Sequence, residues 1–157
     1  MFGKNTVGDP IIHWGTTDAK LSIGNYCTIG KNVNIYLHGG SIITKDNKWI
    51  IPLSNSSCSV HVGNDVWIGS NVTIMPGIKI GDGVNIANNS YIMSDIKAYS
   101  FVYGNPLRIL KYKFNKKQIR ILLKIKWWEW NDDKIHQFTP LLEGDVNRFI
   151  KAVYNKL

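Results

Sequence analysis

Residues 60–92 read VHVGNDVWIGSNVTIMPGIKIGDGVNIANNSYI, and an aliphatic residue recurs in this stretch at every sixth position. Two series of residues carry the period: Ile23, Ile29 and Ile35, and then Val62, Ile68, Ile74, Ile80, Ile86 and Ile92. Two positions before each of them the chain has Leu21, Cys27, Val33, Val60, Val66, Val72, Ile78, Val84 and Ser90. Residues two apart on a strand point to the same face, so each repeat supplies one short strand with an apolar face.

Strands this short, each followed at once by a turn, cannot pair with their sequence neighbours as a hairpin does. Each strand is therefore predicted to pair with the strand three repeats away, so that the chain winds as a triangular coil of about 18 residues with aliphatic side chains inside. Glycines follow five of the inward residues, and we expect turns with positive φ there. They are Gly24, Gly30, Gly63, Gly69 and Gly81.

The period fails over residues 36–59, which contain Gly39-Gly40, Pro52 and a run of polar residues. A long insertion on a rigid frame is usually functional, so we predict a protruding loop that carries the active site. After Gly104 the spacing becomes helical, with Asn115 as a predicted N-cap and a second helix after Asp145. We divide the chain into a coil domain, residues 1–107 with its insertion, and a C-terminal helical extension of the same domain, residues 108–157.

Charge is distributed unevenly along the 157 residues, whose formal net charge is +8. Residues 1–107 hold 7 Lys/Arg and 6 Asp/Glu, whereas residues 108–157 hold 12 and 5. A basic segment attracts anions such as nucleic acid, membrane or a phosphate-bearing cofactor. No nucleic-acid-binding motif is present, which makes nucleic acid the weaker candidate, and no apolar run of about 18 residues predicts a membrane span. A solvated helix face without an anionic partner is the alternative interpretation of this charge. With no signal peptide at the N-terminus and Cys27 and Cys58 as free thiols, we expect a cytoplasmic protein.

Three stretches of the sequence resemble a known family. Residues 62–83 and 103–110 resemble the left-handed parallel β-helix of the hexapeptide-repeat acyltransferases, and residues 114–130 look like the xenobiotic acetyltransferase branch of that family. Together the similarity covers about residues 18–150. It implies an all-β class with a short helical tail, acetyl coenzyme A (acetyl-CoA) as the co-substrate, no metal, and a homotrimer in which the loop crosses to the neighbouring subunit.

Transfer of an acetyl group to a hydroxyl requires a base for the hydroxyl proton and a donor for the oxyanion. Histidine suits the base because its pKa lies near neutrality. We choose His38, which begins the insertion close to where related sugar acetyltransferases keep their base, and retain His61 as the alternative. His13 precedes the regular coils and His136 lies in the tail.

The resemblance also implies binding residues. Asp18 lies where related enzymes hydrogen-bond the acceptor sugar, and the backbone N–H of Ser70 resembles the amide that meets the thioester oxygen. Trp67 is predicted to point outward, against the pantetheine arm, because Val66 and Ile68 point inward. Further predicted cofactor contacts are Asn88, Met93 and Ser94, with Arg108 and Lys111 for the phosphates.

These residues predict an O-acetyltransferase acting on a sugar or saccharide. The alternatives are N-acetylation of an amino sugar, modification of an antibiotic, and a non-catalytic β-helix that binds a sugar or a partner. Antibiotic-modifying members carry an Asn-His motif after a glycine pair, whereas Gly39-Gly40 is followed here by Ser41 and Ile42. A γ-type carbonic anhydrase needs three converging histidines for its zinc, and the four histidines of this chain lack that spacing.

Overall fold

Parallel sheets wound from short strands form the first part of the molecule, as a computed structural model shows. The structure describes residues 2–14, 19–37, 42–43, 49–50 and 58–154. Sheet A contains β2 (Leu21–Ile23), β7 (Val60–Val62) and β10 (Lys79–Ile80). Sheet B contains β3 (Thr28–Ile29), β8 (Trp67–Ile68), β11 (Asn85–Ile86), β13 (Ser100–Tyr103) and β14 (Arg108–Tyr112). Sheet C contains β1 (Ile11–His13), β4 (Asn34–Tyr36), β9 (Thr73–Ile74) and β12 (Tyr91–Ile92).

The strand register confirms the triangular coil. Val62 pairs with Ile80, Ile68 with Ile86 and Ile74 with Ile92, each pair separated by 18 residues. Across the insertion, strands β2, β3 and β4 pair with β7, β8 and β9 at a separation of 39 residues. The insertion therefore adds 21 residues between two coils that still stack in register.

The inward positions of the coils are all buried, as predicted. Every member of the two six-residue series, and every residue two positions before one, is at most 8% exposed. Leu37, Ile96 and Val102 extend the same core. Full burial of an aliphatic side chain contributes about 1.5–3 kcal/mol, so the stack of like residues stabilises the coil along its whole length.

The predicted reason for the repeated glycines is wrong. Positive φ angles fall three residues after the inward residue, for example at Asn32 (56°), Asn71 (58°) and Asn89 (60°), and not at Gly30 or Gly69. A Cβ atom on Gly30 would lie 2.6 Å from the backbone nitrogen of Ser70 in the next coil. The glycine is therefore required by the close approach of adjacent coils, while asparagine tolerates the left-handed turn.

Side-chain oxygens at the corners pair with backbone amides of the adjacent coil. The N–H of Asn25 donates to Oδ1 of Asn64, and the N–H of Asn64 donates to Oδ1 of Asp82, both at 2.8 Å. A second ladder joins the side-chain amides of Asn32, Asn71 and Asn89 at 3.1–3.2 Å. The bonds of the first kind satisfy backbone N–H groups that the turns leave outside the sheets.

The insertion begins and ends inside the range predicted for it. Tyr36 pairs with His13, and Leu37 is fully buried with its N–H donating to the carbonyl of His13 at 2.9 Å. At the other end Ser59 is buried, and its Oγ accepts from the N–H of Lys20. These residues belong to the coil because they pair with an adjacent strand. Within the insertion, β5 (Ile42–Ile43) and β6 (Trp49–Ile50) form an antiparallel pair.

A separate helical unit, Tyr112–Leu157, follows the coil unit Met1–Lys111. It contains α1 (Lys116–Ile125), a 3₁₀ turn (Trp127–Glu129), α2 (Asp132–Leu142) and α3 (Val146–Tyr154). The predicted cap is confirmed: Asn115 and Gln118 form a reciprocal capping box at the start of α1. The predicted second helix is α3, whereas α2 was missed. Among the described residues, no helix has the length and apolar character needed to cross a membrane.

Candidate active site

Trp67 lies on the outer surface of sheet B, as predicted. Its neighbours Val66 and Ile68 are buried, so strand alternation turns the indole outward, where it is 41% exposed. Thr28 and Asn85 flank it in register on the two adjacent strands. The small neighbours leave a flat apolar ring accessible on a polar face.

Ser70 and Asn88 meet at the corner that follows sheet B. Since they occupy the same position in adjacent coils, the N–H of Ser70 donates to Oδ1 of Asn88 at 2.8 Å. The hydroxyl of Ser70 accepts from the N–H of Lys31 at 3.2 Å. The amide predicted to meet a thioester oxygen is thus already paired, and the exposed Asn88 side chain must turn away to release it.

The other predicted cofactor residues are exposed. Met93, 64% exposed, and Ser94 directly follow β12, the last strand of sheet C. Arg108 and Lys111 lie on β14, the edge strand of sheet B. Three positions apart on a strand, their side chains point to opposite faces, so we expect one phosphate group to meet only one of them.

The two predicted residues for the acceptor, His38 and Asp18, lie outside the described residues. His61 is described: it is exposed on sheet A, and its Nδ1 lies 2.8 Å from Oγ of Ser22. Ser22 is in register with His61 one strand away, so the six-residue period and the strand pairing were sufficient to find this partner, which our sequence reasoning missed.

The remaining histidines have other surroundings. The His13 ring stacks on Tyr36, with 4.1 Å between ring centroids, and its Nε2 lies 2.9 Å from Oδ1 of Asn34. His136 is exposed on α2. His13 is thus held in the frame of the coil by its contacts with β4.

The described part of the chain indicates no metal centre, and the thiol inside its core is not reactive. It contains no group of three or more His, Cys, Asp or Glu residues placed to hold a metal ion. Burial raises the pKa of the Cys27 thiol, which donates to the carbonyl of Gly63 at 3.2 Å. Cys27 is therefore a protonated residue of the core and not a nucleophile.

The coil also matches a described protein family. Residues 59–94 match the family called bacterial transferase hexapeptide (six repeats). A probable macrolide acetyltransferase of Lysinibacillus sphaericus is 34% identical over 92% of this chain and 87% of its own length. The chain belongs to the hexapeptide-repeat acyltransferases. A chloramphenicol acetyltransferase of Morganella morganii is 35% identical over 78% of this chain and 66% of its own length.

Solved structures agree with this assignment. A hexapeptide-repeat acetyltransferase from Vibrio cholerae in complex with acetyl-CoA has a TM-score of 0.60 and 25% identity, over 73% of this chain and 60% of that one. A maltose O-acetyltransferase from Clostridium difficile has a TM-score of 0.54 and 30% identity, over 73% and 59%. This chain therefore spans about 60% of the length of these two solved proteins. It spans 87% of the macrolide relative and 66% of the chloramphenicol relative.

Several predictions are confirmed at the level of the family. The fold is the left-handed β-helix with a short helical tail, and the protein is an acyltransferase whose co-substrate is acetyl-CoA. The predicted protruding loop falls mostly outside the described residues. The acceptor and the roles of individual residues remain predictions.

Proposed function

We propose that this protein transfers the acetyl group of acetyl-CoA to a hydroxyl of a sugar or saccharide. The observation that carries the proposal is the outward Trp67 beside the corner formed by Ser70 and Asn88, on the coil of a hexapeptide-repeat acyltransferase. This surface offers an apolar ring, a backbone donor and polar side chains within two adjacent coils.

The cofactor is assigned to the outer edge of the coil. Trp67 supports the pantetheine arm by apolar contact, while Asn88, Met93 and Ser94 continue the binding surface. Arg108 or Lys111 contributes a charge-assisted hydrogen bond to a phosphate. When Asn88 turns away, the N–H of Ser70 becomes available to an oxygen that gains negative charge during transfer. Acetyl-CoA supplies the activated acyl group.

His38 is assigned as the base and Asp18 as an acceptor for sugar hydroxyls, on the resemblance alone. His61 is the alternative base. If its Nδ1–H donates to Oγ of Ser22, the lone pair of Nε2 is open to accept a proton from a hydroxyl. The serine would then hold the ring in the tautomer that a base needs.

The saccharide acceptor is favoured by the absence of an Asn-His motif after Gly39-Gly40. A drug hydroxyl is the second candidate, because the relative aligned over 87% of its length bears the name of a macrolide acetyltransferase.

Release of free coenzyme A from acetyl-CoA, followed with a thiol reagent, tests both candidates. The acceptors are nucleotide sugars, oligosaccharides, glucosamine, chloramphenicol and a macrolide. Turnover with a saccharide supports the proposal, and product analysis separates O- from N-acetylation. Turnover with only the drugs would mean that the acceptor is an antibiotic and not a saccharide. No turnover with any of these acceptors would favour a non-catalytic binding protein.

We further propose a homotrimer, because flat outer sheets suit a closed ring of like subunits in which an insertion can reach the next copy. Light scattering at micromolar concentration should give three times the subunit mass. A stable monomer would contradict the trimer and leave the acyltransferase assignment intact.

A further inference from the structure

A groove of about 410 Å³ runs across the outer surface of sheet A. Gly63 and Gly81 leave its floor without side chains. Around the floor stand five polar side chains, which we call the His61 groove residues: His61, Lys79, Asp82, Asp95 and Lys97. His61 and Lys79 are in register on adjacent strands, and the Ile80–Ile96 bridge places the chain around Asp95 beside Lys79. The groove lies on a different sheet from Trp67.

The donors of the groove are open. Contact with Ser22 occupies Nδ1 of His61, and with Nδ1–H donating to Ser22 the open Nε2 is an acceptor, so the donors of the groove are the two lysines. Lys79 and Lys97 are exposed, and over the described ranges neither ammonium group forms an ion pair with a carboxylate. An unpaired ammonium offers three donors, so the groove presents several hydrogen-bond donors on one side.

The acceptors are held in place by the frame. Oδ1 of Asp82 accepts from both the N–H and the side-chain amide of Asn64 at 2.8 Å. Oδ1 of Asp95 accepts from the N–H of Lys79 at 2.8 Å. A carboxylate has two oxygens, so each aspartate is fixed by one oxygen and keeps acceptor capacity on the other.

We propose that the His61 groove binds a sugar unit through its hydroxyl groups. A hydroxyl both donates and accepts, and adjacent sugar hydroxyls therefore match a site that combines fixed carboxylates with open ammonium and imidazole groups. The two lysines balance the two aspartates in charge, which favours a neutral polyhydroxylated ligand over a phosphate or a carboxylate. The inference rests on the proposed function in one respect: the bound sugar is part of the acceptor.

Amide chemical shifts of the ¹⁵N-labelled full chain, measured without acetyl-CoA, test the binding. The probes are galactose, N-acetylglucosamine and maltose, with glucuronate and inorganic phosphate as the anionic comparison. We expect a neutral sugar to shift the amides of Gly63 and Gly81 in a saturable way and to leave Gly30, on the far corner, unmoved. Lys97→Ala and Asp95→Asn should each weaken binding about tenfold, the usual effect of a lost hydrogen bond to a charged group.

Lys31→Ala is the matched control, because it removes an exposed lysine of the coil outside the groove and should leave the affinity unchanged. The proposal is overturned if none of the three sugars shifts the groove glycines, if the anions bind there instead, or if sugar binding survives both groove substitutions. Thioester turnover distinguishes a failure of this inference from a failure of the proposed function. If the groove variants turn over saccharide acceptors normally, the groove is not part of the acceptor site and the proposed function stands. If sugars bind in the groove but no acceptor is acetylated, the groove stands and the proposed transferase reaction is wrong.

Discussion

The inside of the coils and their corners differ in how residues of adjacent coils pair. Inside, each aliphatic residue stacks on a similar one in the next coil, as Ile35, Ile74 and Ile92 do. At the corners each position has its own partner, as Ser70 has Asn88. The inside therefore determines the fold through repetition, and the corners can differ from coil to coil without disturbing it. Most of the residues proposed to bind acetyl-CoA lie at corners or on outward positions.

The largest effect is expected at His38, which the sequence places in the insertion. His38→Ala should lower kcat by about 10²–10⁴-fold, the usual contribution of a general base, while the fold and coenzyme A binding persist. Steady-state kinetics with the best acceptor measure kcat, and thermal unfolding checks that the fold persists.

His61→Ala is the control for that substitution, since it removes the other candidate base. A loss of kcat in His61→Ala with none in His38→Ala would move the base to sheet A beside Ser22. If both variants keep full activity, no histidine of this pair acts as the base.

Inside the coil the effect should be on stability. Ile74 is fully buried between Ile35 and Ile92, so Ile74→Ala should lower the free energy of unfolding by about 2–5 kcal/mol through lost contacts and a cavity. Thr28→Ala, on an outward exposed position, should change it by no more than about 0.5 kcal/mol. Denaturant unfolding of both variants measures this difference. Equal losses of unfolding free energy would contradict the view that the inward residues determine the fold.

A smaller effect is expected at the exposed edge strand. Arg108→Ala should raise the KM for acetyl-CoA through loss of one charge-assisted hydrogen bond, about 1.5–3 kcal/mol, and leave the KM for the acceptor nearly unchanged. Arg120, exposed on α1, provides the control, and Arg120→Ala should leave both constants unchanged. A KM for acetyl-CoA that does not move in Arg108→Ala would mean that β14 does not bind the cofactor.

The period of six was enough to predict the inside of the coil because burial acts on residue type alone. It placed Trp67 on the outside for the same reason, whereas Asn115 was predicted from the helical spacing of the tail and from the preference of asparagine for the N-cap. The period did not predict the role of Gly30, since the room for a Cβ atom there, which would lie 2.6 Å from the backbone nitrogen of Ser70, depends on the stacking distance between coils and not on local turn preference. Ser70 with Asn88 and Ser22 with His61 each lie three repeats apart, so the period was sufficient to make them neighbours, but the contact within each pair depends on side-chain rotamers that the period does not determine.

The smallest effect is the sharpest test of how the corners differ. Asn88 and Asn64 both accept a corner amide of the adjacent coil at 2.8 Å, so Asn88→Ala should cost about 0.5–1.5 kcal/mol of stability. Asn64→Ala should cost more, because the Asn64 side chain also donates to Asp82. The amide released by Asn88→Ala belongs to Ser70, whereas Asn64→Ala releases that of Asn25.

If the Ser70 amide serves the thioester oxygen, Asn88 competes with the substrate for it. Asn88→Ala should then raise kcat/KM for acetyl-CoA about fivefold, which corresponds to one hydrogen bond of about 1 kcal/mol, and Asn64→Ala should leave it unchanged. Parallel thermal unfolding measures the stability that each variant loses and checks that both remain folded in the assay. A fall in kcat/KM confined to Asn88→Ala would mean that the proposed contact of Asn88 with the cofactor outweighs its competition for the Ser70 amide. Equal behaviour of the two variants would reduce Asn88 to a structural cap, like Asn64, and would remove Ser70 from the reaction.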